Sequence, residues 1–226
     1  AIRRFACPAN SKAANVVLDA RANRGSAKMA YNSTDGSFTT TAEDVGNGQQ
    51  VMHIYGKFNQ TPTGWHQGTE GGVGMFEFAQ TGDSELVVEL QVATSFISQD
   101  QAKQNWKEVE SKNFDAVKKD ALSAWNKALR TIEVTGGTEH ERVTFYSNLY
   151  RCFLYPTNMS ETTADGTQVH ANVYGGTTPT NGPFVYNNGF WDTFRTAWPL
   201  YSIMEPVKAG ELLNGLVQHY LDNGWG

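Results

Sequence analysis

The sequence predicts a multi-domain chain in which an antiparallel β-sandwich is followed by helices, and three observations carry that expectation. Short runs rich in β-branched and aromatic residues, broken by turn signals, fill residues 1–98. At Ser98 a capping pattern opens the first of several segments whose apolar residues recur near a 3.6-residue period. The strand runs all precede the helical runs, which argues for a sandwich and against βαβ units.

Composition narrows the class. With 39% hydrophobic and 18% charged residues, the 226-residue chain is too apolar and too weakly charged to stay disordered. A net charge of -5 argues against a nucleic-acid partner held by phosphate neutralisation. No apolar run is long enough to span a bilayer, and no signal peptide is visible at Ala1. Cys7 and Cys152 allow one disulfide, but so low a count favours free thiols. Sequons at Asn32, Asn59 and Asn158, with the richness in Thr, Asn and Gly, lead us to expect a secreted, extracellular glycoprotein.

The strands are expected at Arg3–Cys7, Asn15–Ala20, Ala27–Tyr31, Ser37–Thr41, Val51–Phe58, Val73–Ala79 and Leu86–Phe96. The turns between them are signalled by Asp35-Gly36, Gly46-Asn47-Gly48, Pro62 to Gly64 and Gly82-Asp83. Leu86, Val88, Leu90 and Val92 alternate with Glu85, Val87, Glu89 and Gln91, better than Met52, Ile54 and Tyr55, which beside His53 and Lys57 alternate only in part. Trp65 and His66 sit in a Gly-rich stretch read as a loop, where an exposed His is more often plain surface than a ligand.

Residues 99–136 read as a helical linker. Ser98 and Gln101 open its first helix, anchored by Trp106 and Val109. A second starts near Asn113 with the stripe Phe114, Val117, Ala121, Leu122, Trp125 and Leu129. Residues 137–226 read as a helical domain. Thr138 and Glu141 form a capping box for a helix over Glu139–Tyr155, whose apolar residues cover most of its circumference and predict burial on two sides. Residues 157–188 show no helical pattern, and so long a connection is expected to line a site. Pro199 implies a kink or a fresh helix start. Pro206 opens the last helix, with the stripe Leu212, Leu213, Leu216, Val217, Tyr220 and Leu221, and Gly224 closes it. So few helices leave an apolar face uncovered, as expected of a piece of something larger.

The stretch GFWDTFRTAWPLY, Gly189–Tyr201, sets Phe190, Trp191, Phe194 and Trp198 around one carboxylate, Asp192, and one guanidinium, Arg195. An indole covers the C–H face of a sugar while charged groups bond its hydroxyl edge, so the pattern fits a carbohydrate site. It equally fits a helix capped by Asp192, paired with Arg195 and packed through core aromatics.

The segments FYSNLYRCFLYP (Phe145–Pro156) and FWDTFRTAWPLYSIMEP (Phe190–Pro206) resemble glycoside hydrolase family 92, the calcium-dependent exo-α-mannosidases. So do Val88–Trp106 and Phe114–Val134, which look like the end of that family's sandwich domain and its linker helices. The resemblance implies an incomplete N-terminal β-sandwich over 1–98, a linker over 99–136 and the first part of an (α/α)6 barrel over 137–226. It also implies hydrolysis of terminal α-linked mannose with inversion. By motif match, Trp191, Asp192 and Arg195 are expected to line the mannose pocket. No catalytic residue is assigned: the family's general acid, general base and calcium ligands lie in motifs not found in these residues, so the segment alone is expected to be inactive. Calcium enters through the resemblance only, because Asp165 stands without neighbouring acids and the five His and two Cys are scattered. The implied partners are a mannose-containing oligosaccharide or glycoprotein glycan and the remainder of the same polypeptide. Two other readings compete. One is a non-catalytic carbohydrate-binding β-sandwich, suggested by the Gly-rich loops and Trp65. The other is a sugar-processing helical barrel such as a disaccharide phosphorylase.

Overall fold

Strand alternation builds the first part of the molecule. A computed structural model describes residues 1–226 except Lys12, 22–26, 45–49, Glu70, 81–82, 173–179 and 225–226, and the side chains of Asp44 and Gln50. The expected turn at Gly46-Asn47-Gly48, Gly82 of the Gly82-Asp83 turn and the Gly175–Pro179 part of the long connection lie outside the described residues. The described residues divide near Lys118 into two compact units.

In the first unit the strands are β1 (Ile2–Cys7), β2 (Ala14–Asp19), β3 (Ala27–Asn32), β4 (Ser37–Asp44), β5 (Gln50–Phe58), β6 (Gly64–Gln67), β7 (Val73–Phe78) and β8 (Leu86–Ser95). They form a five-stranded sheet in the order β1-β8-β5-β4-β3 and a three-stranded sheet in the order β2-β7-β6, antiparallel throughout. The two sheets close on one apolar core, with Met29, Phe38, Phe58, Val88 and Leu90 from the larger and Val16, Phe76 and Phe78 from the smaller. The alternation of Leu86, Val88, Leu90 and Val92 expected from the sequence faces this core.

The partial alternation of β5 has a physical cause. Ile54 and Phe58 point into the sandwich, whereas Tyr55 packs outward against Ala102 and Trp106 of α1 (Gln99–Trp106), its ring 5.4 Å from the indole. Both faces of this strand are covered, so both carry apolar residues. The Ser98 hydroxyl caps α1 by accepting from Gln101 N at 3.1 Å.

One expectation for this unit fails. Trp65 is not in a loop but in β6, packed against the core with its ring 4.9 Å from Phe76. Gly74 makes the room: a Cβ there would lie 2.2 Å from the Trp65 ring and 2.5 Å from the Met29 sulfur. His66 sits beside Glu77 at 3.2 Å on the exposed side.

Glu89 connects the sheet to the next helix, α2 (Phe114–Leu129). Its Oε1 accepts from Arg4 Nη2 at 2.6 Å, and its Oε2 accepts from the Phe114 amide at 3.0 Å, an orphan donor at the helix start. Arg4 also pairs with Asp115 and lies over the Phe114 ring. The stripe expected to bury α2 does not do so: no residue of α2 is buried and Leu122 is exposed.

The second unit holds α3 (Glu139–Cys152), the short strands β9 (Thr157–Asn158), β10 (Glu161–Thr162), β11 (Gln168–His170), β12 (Thr180–Asn181) and β13 (Val185–Tyr186), and the helices α4 (Phe190–Thr193), α5 (Ala197–Met204) and α6 (Pro206–Asn223). The capping box of α3 is complete, Thr138 and Glu141 each bonding the other's backbone. The expected burial of α3 on two sides is not found: only Leu149 of the helix is buried, and Val143, Tyr150 and, just past its end, Leu154 are exposed. Nor does α3 reach Tyr155; it ends at Cys152.

The long connection carries more order than expected. It folds into two small antiparallel sheets, β10-β11-β12 and β13-β9. Asp165 makes the β10–β11 turn by accepting from the Thr163 hydroxyl and the Thr167 amide, which hold its carboxyl below the usual range. The break at Pro199 is a fresh start, since Pro199 lies in the first turn of α5, where no amide donor is needed. Pro206 opens α6 and Gly224, with φ 74°, closes it. Trp198, Tyr201 and Ala209 form the core between α5 and α6, with Phe153, Leu212 and Leu216 against them. The remaining stripe residues of α6, Leu213, Val217, Tyr220 and Leu221, are exposed. Cys7 and Cys152 are half-buried free thiols.

Candidate functional site

The site expected at Gly189–Tyr201 folds as one short turn of helix, a break and a second helix. In α4 the Gly189 carbonyl accepts from the Asp192 and Thr193 amides, both at 3.2 Å, and from the Thr193 hydroxyl at 2.9 Å. The Thr196 hydroxyl then donates to Asp192 O at 2.9 Å. The stop after one turn changes the expected geometry of the charged pair. Arg195 lies beyond the end of α4, so Asp192 and Arg195 do not share a helical face. No ion pair joins them among the described residues, and the Arg195 guanidinium lies over the Phe194 ring at 4.5 Å. Nor is Asp192 an N-cap; that position is Gly189.

Burial separates the aromatics. Trp198 is 7% exposed and belongs to the core, Phe190 and Phe194 are about half exposed, and Trp191 is 90% exposed. Asp192 and Arg195 are exposed as well. An exposed indole and an exposed carboxylate therefore occupy consecutive positions of one turn, and among the described residues no ion pair holds the carboxylate. Stacking on the indole and hydrogen bonding to the carboxylate are the contacts such a pair can make with a sugar ring. A single carboxylate cannot supply both the acid and the base of glycoside hydrolysis. A cleft of about 500 Å³ on the same unit is lined by Trp125, Phe153, Tyr155, Tyr201, Glu205 and Lys208, and not by Trp191, Asp192 or Arg195.

What holds the turn was not evident in the sequence. Asn188 accepts from the indole Nε1 of Trp198 at 3.2 Å, and Trp198 stacks on Phe190 at 5.6 Å with 18° between the planes. The pair Asn187-Asn188 reads simply as a turn. In the structure the two divide the work: Asn187 takes the left-handed conformation, φ 61°, and Asn188 faces the indole. Tyr201 anchors α5 by donating to the carbonyls of Cys152 and Tyr155, and burial raises its pKa.

A second cluster lies deeper, between the small sheets and α6. His170 is fully buried, its Nδ1 3.1 Å from Gly182 O and its Nε2 2.8 Å from the equally buried Asp222 carboxylate. The Phe184 ring is stacked on that of His170, at 4.6 Å, and meets that of His219 at 4.2 Å with a 30° tilt. No sequence signal links residues 52 positions apart such as His170 and Asp222. Their burial makes them structural.

The other expected sites are dispersed. Asn32, Asn59 and Asn158 are all exposed. The Asn59 Oδ1 accepts from the Glu89 amide, and those of Asn32 and Asn158 accept from the amide two residues on. Trp65, which suggested a separate carbohydrate-binding sandwich, is spent on the core. Calcium needs about six to eight oxygen ligands, and no group of even three His, Cys, Asp or Glu is gathered among the described residues. These residues do not fit a calcium site.

Comparison with known proteins follows this division of the chain. Residues 101–226, more than half of the sequence, match the glycosyl hydrolase family 92 catalytic domain. No curated protein matches. Among solved structures, a family GH92 inverting mannosidase from Bacteroides thetaiotaomicron is similar over 99% of this chain with a TM-score of 0.88 and 24% identity. A family GH92 α-mannosidase from the same organism, solved alone and with mannoimidazole, is similar over 97% with a TM-score of 0.77 and 20% identity. The chain spans about a third, 32% and 31–32%, of the length of those structures. At such identities the likeness shows the fold, antiparallel sheets followed by a helical domain; the few helices described here do not close a barrel. It is the family match over α1 to α6, with the exposed WDTFR turn inside it, that identifies the chain as a member of glycosyl hydrolase family 92.

Proposed function

We propose that the protein containing this chain is an exo-acting glycoside hydrolase that removes terminal α-linked mannose from mannosides or N-glycans, with inversion and with calcium. Family membership supports hydrolysis, and the names of the two similar structures, an inverting mannosidase and an α-mannosidase bound to mannoimidazole, support the sugar and the stereochemistry. The observation that carries the reading is the open α4 turn, on which the side chains of Trp191 and Asp192 are exposed within the matched stretch. Asp192 holds sugar hydroxyls, Trp191 shapes the wall, and Arg195 lends positive charge nearby. No residue of this chain is assigned as general acid, general base or calcium ligand. An inverting site needs two carboxyl groups about 6.5–9.5 Å apart. We also propose secretion, with glycans on Asn32, Asn59 and Asn158, to be tested by glycopeptide mapping of the protein from its native host.

The test uses the intact protein on an aryl α-mannoside, with product configuration read by proton NMR. Release of β-mannose, lost on chelation and restored by calcium, is the expected result. Asp192→Ala should lower kcat/KM by about a hundredfold or more, as for loss of charge-assisted bonds to a bound sugar. Unchanged kinetics in that variant would remove Asp192 from the site.

A further inference from the structure

Asn188 is, we propose, a positioning residue for sugar binding: through the indole of Trp198 it sets the α4 turn that presents Trp191 and Asp192. The inference rests on the proposed mannoside-binding role of that turn.

The indole N–H can only donate, so it fixes the Asn188 amide with Oδ1 toward Trp198. Trp198 is buried, and its N–H would otherwise be left without an acceptor inside the protein. The face of the Trp198 ring lies on Phe190, the first residue of α4. The other support of the turn is the Gly189 carbonyl, with its three donors, in the residue directly after Asn188. The ring contact of α4 therefore leads back to residues 188 and 198, and its N-terminal carbonyl follows directly on 188. Beyond these, the Thr196 hydroxyl bonds Asp192 O at 2.9 Å, while Trp191, Asp192 and Phe194 are exposed.

The second observation is the other half of the amide. Asn188 Nδ2 is buried and has no partner among the described residues. A buried donor without an acceptor is costly, and a Leu–Phe pair at 188 and 198 would fill similar space without that cost. Core packing alone does not call for an amide here. Orientation of the indole, and with it of Phe190, does.

The experiment is a double-mutant cycle in the intact protein with Asn188→Leu and Trp198→Phe. The second variant removes the indole N–H and keeps a ring on Phe190. Each single change should lower kcat/KM for an aryl α-mannoside by roughly tenfold, mainly through KM, and the double variant should lose no more than either single one. Chymotryptic cleavage within residues 190–194 should quicken in all three, and this readout does not depend on activity. Single variants within about twofold of the parent, or losses that multiply in the double variant, would overturn the proposal. Unchanged cleavage rates would overturn it as well. A parent protein that is inactive on mannosides counts against the proposed function, whereas unaltered cleavage counts against the role of Asn188. If Asn188→Leu fails to fold, Trp198→Phe alone decides, because it removes the same hydrogen bond from the other side.

Discussion

Trp65 and Gly74 show how one residue depends on what a second one lacks. The indole occupies the space where any side chain at 74 would begin. Gly74→Ala should therefore destabilise the sandwich by about 1–3 kcal/mol, the usual cost of overpacking a filled core, and lower the denaturation midpoint without changing the slope. A wild-type midpoint in that variant would mean that Trp65 can turn aside. The same pair marks a limit of the sequence. Trp65 and His66 lie between glycines and look like a loop, because β6 is four residues long and too short to show alternation. Asp192 was legible as a residue of interest from its aromatic neighbours. Its freedom from Arg195 was not, because that depends on where α4 stops.

At the level of elements, Glu89 joins three parts of the first unit: β8, on which it sits, Arg4 on β1, and the start of α2. Its side chain is 11% exposed, so removing it leaves Arg4 with Asp115 alone and the Phe114 amide without its acceptor. Glu89→Ala should cost roughly 2–3 kcal/mol, measured by urea unfolding. Carboxylates on several elements of this unit also set an acid limit. Arg4 holds the Asp115 carboxyl below its usual value, the Ser37 hydroxyl does the same for Asp35, and Arg21 brings Asp19 down to about 2 from 3.8. Because these values are depressed in the folded state, the stability they contribute is complete above the ordinary carboxylate range and is lost as pH falls from near 3.8 toward about 2. A melting series over that interval should show a falling Tm, less steeply in Arg4→Ala, which frees Asp115. Most helices and strands of this chain were readable because caps and alternation are local. Ser98, Thr138 and Pro206 each mark a helix start where one is found. The strands β9 to β13 were not readable, since pairs such as Asn158 with Val185 are made by distant residues with no period of their own.

For the molecule as a whole, apolar surface is the main consequence of the fold. Val143 and Tyr150 on α3, Leu154 just past its end, Ile203 on α5, and Val207, Val217 and Leu221 on α6 are exposed. Several of these are more than half exposed, and apolar surface that gathers on helix faces favours association. The 226-residue chain expressed alone should bind a hydrophobic dye and self-associate at micromolar concentration. Replacing Val207, Val217 and Leu221 by Lys should suppress both with little change in Tm, and undiminished dye binding would show that the surface lies elsewhere. The sequence indicated that an apolar face is left uncovered but not that α2 and α3 would share in it, because a helical period says which residues cluster and not whether another element meets them. The ring cluster in this unit has a further, practical use. The imidazoles of His170 and His219 each pack close to the Phe184 ring, at 4.6 and 4.2 Å and at low angles, where the π current shields nearby nuclei. Their carbon-bound protons should resonate upfield of those of His140, which is exposed on α3. Three histidine signals thus provide a native magnetic reporter of whether the small sheets and α6 are assembled.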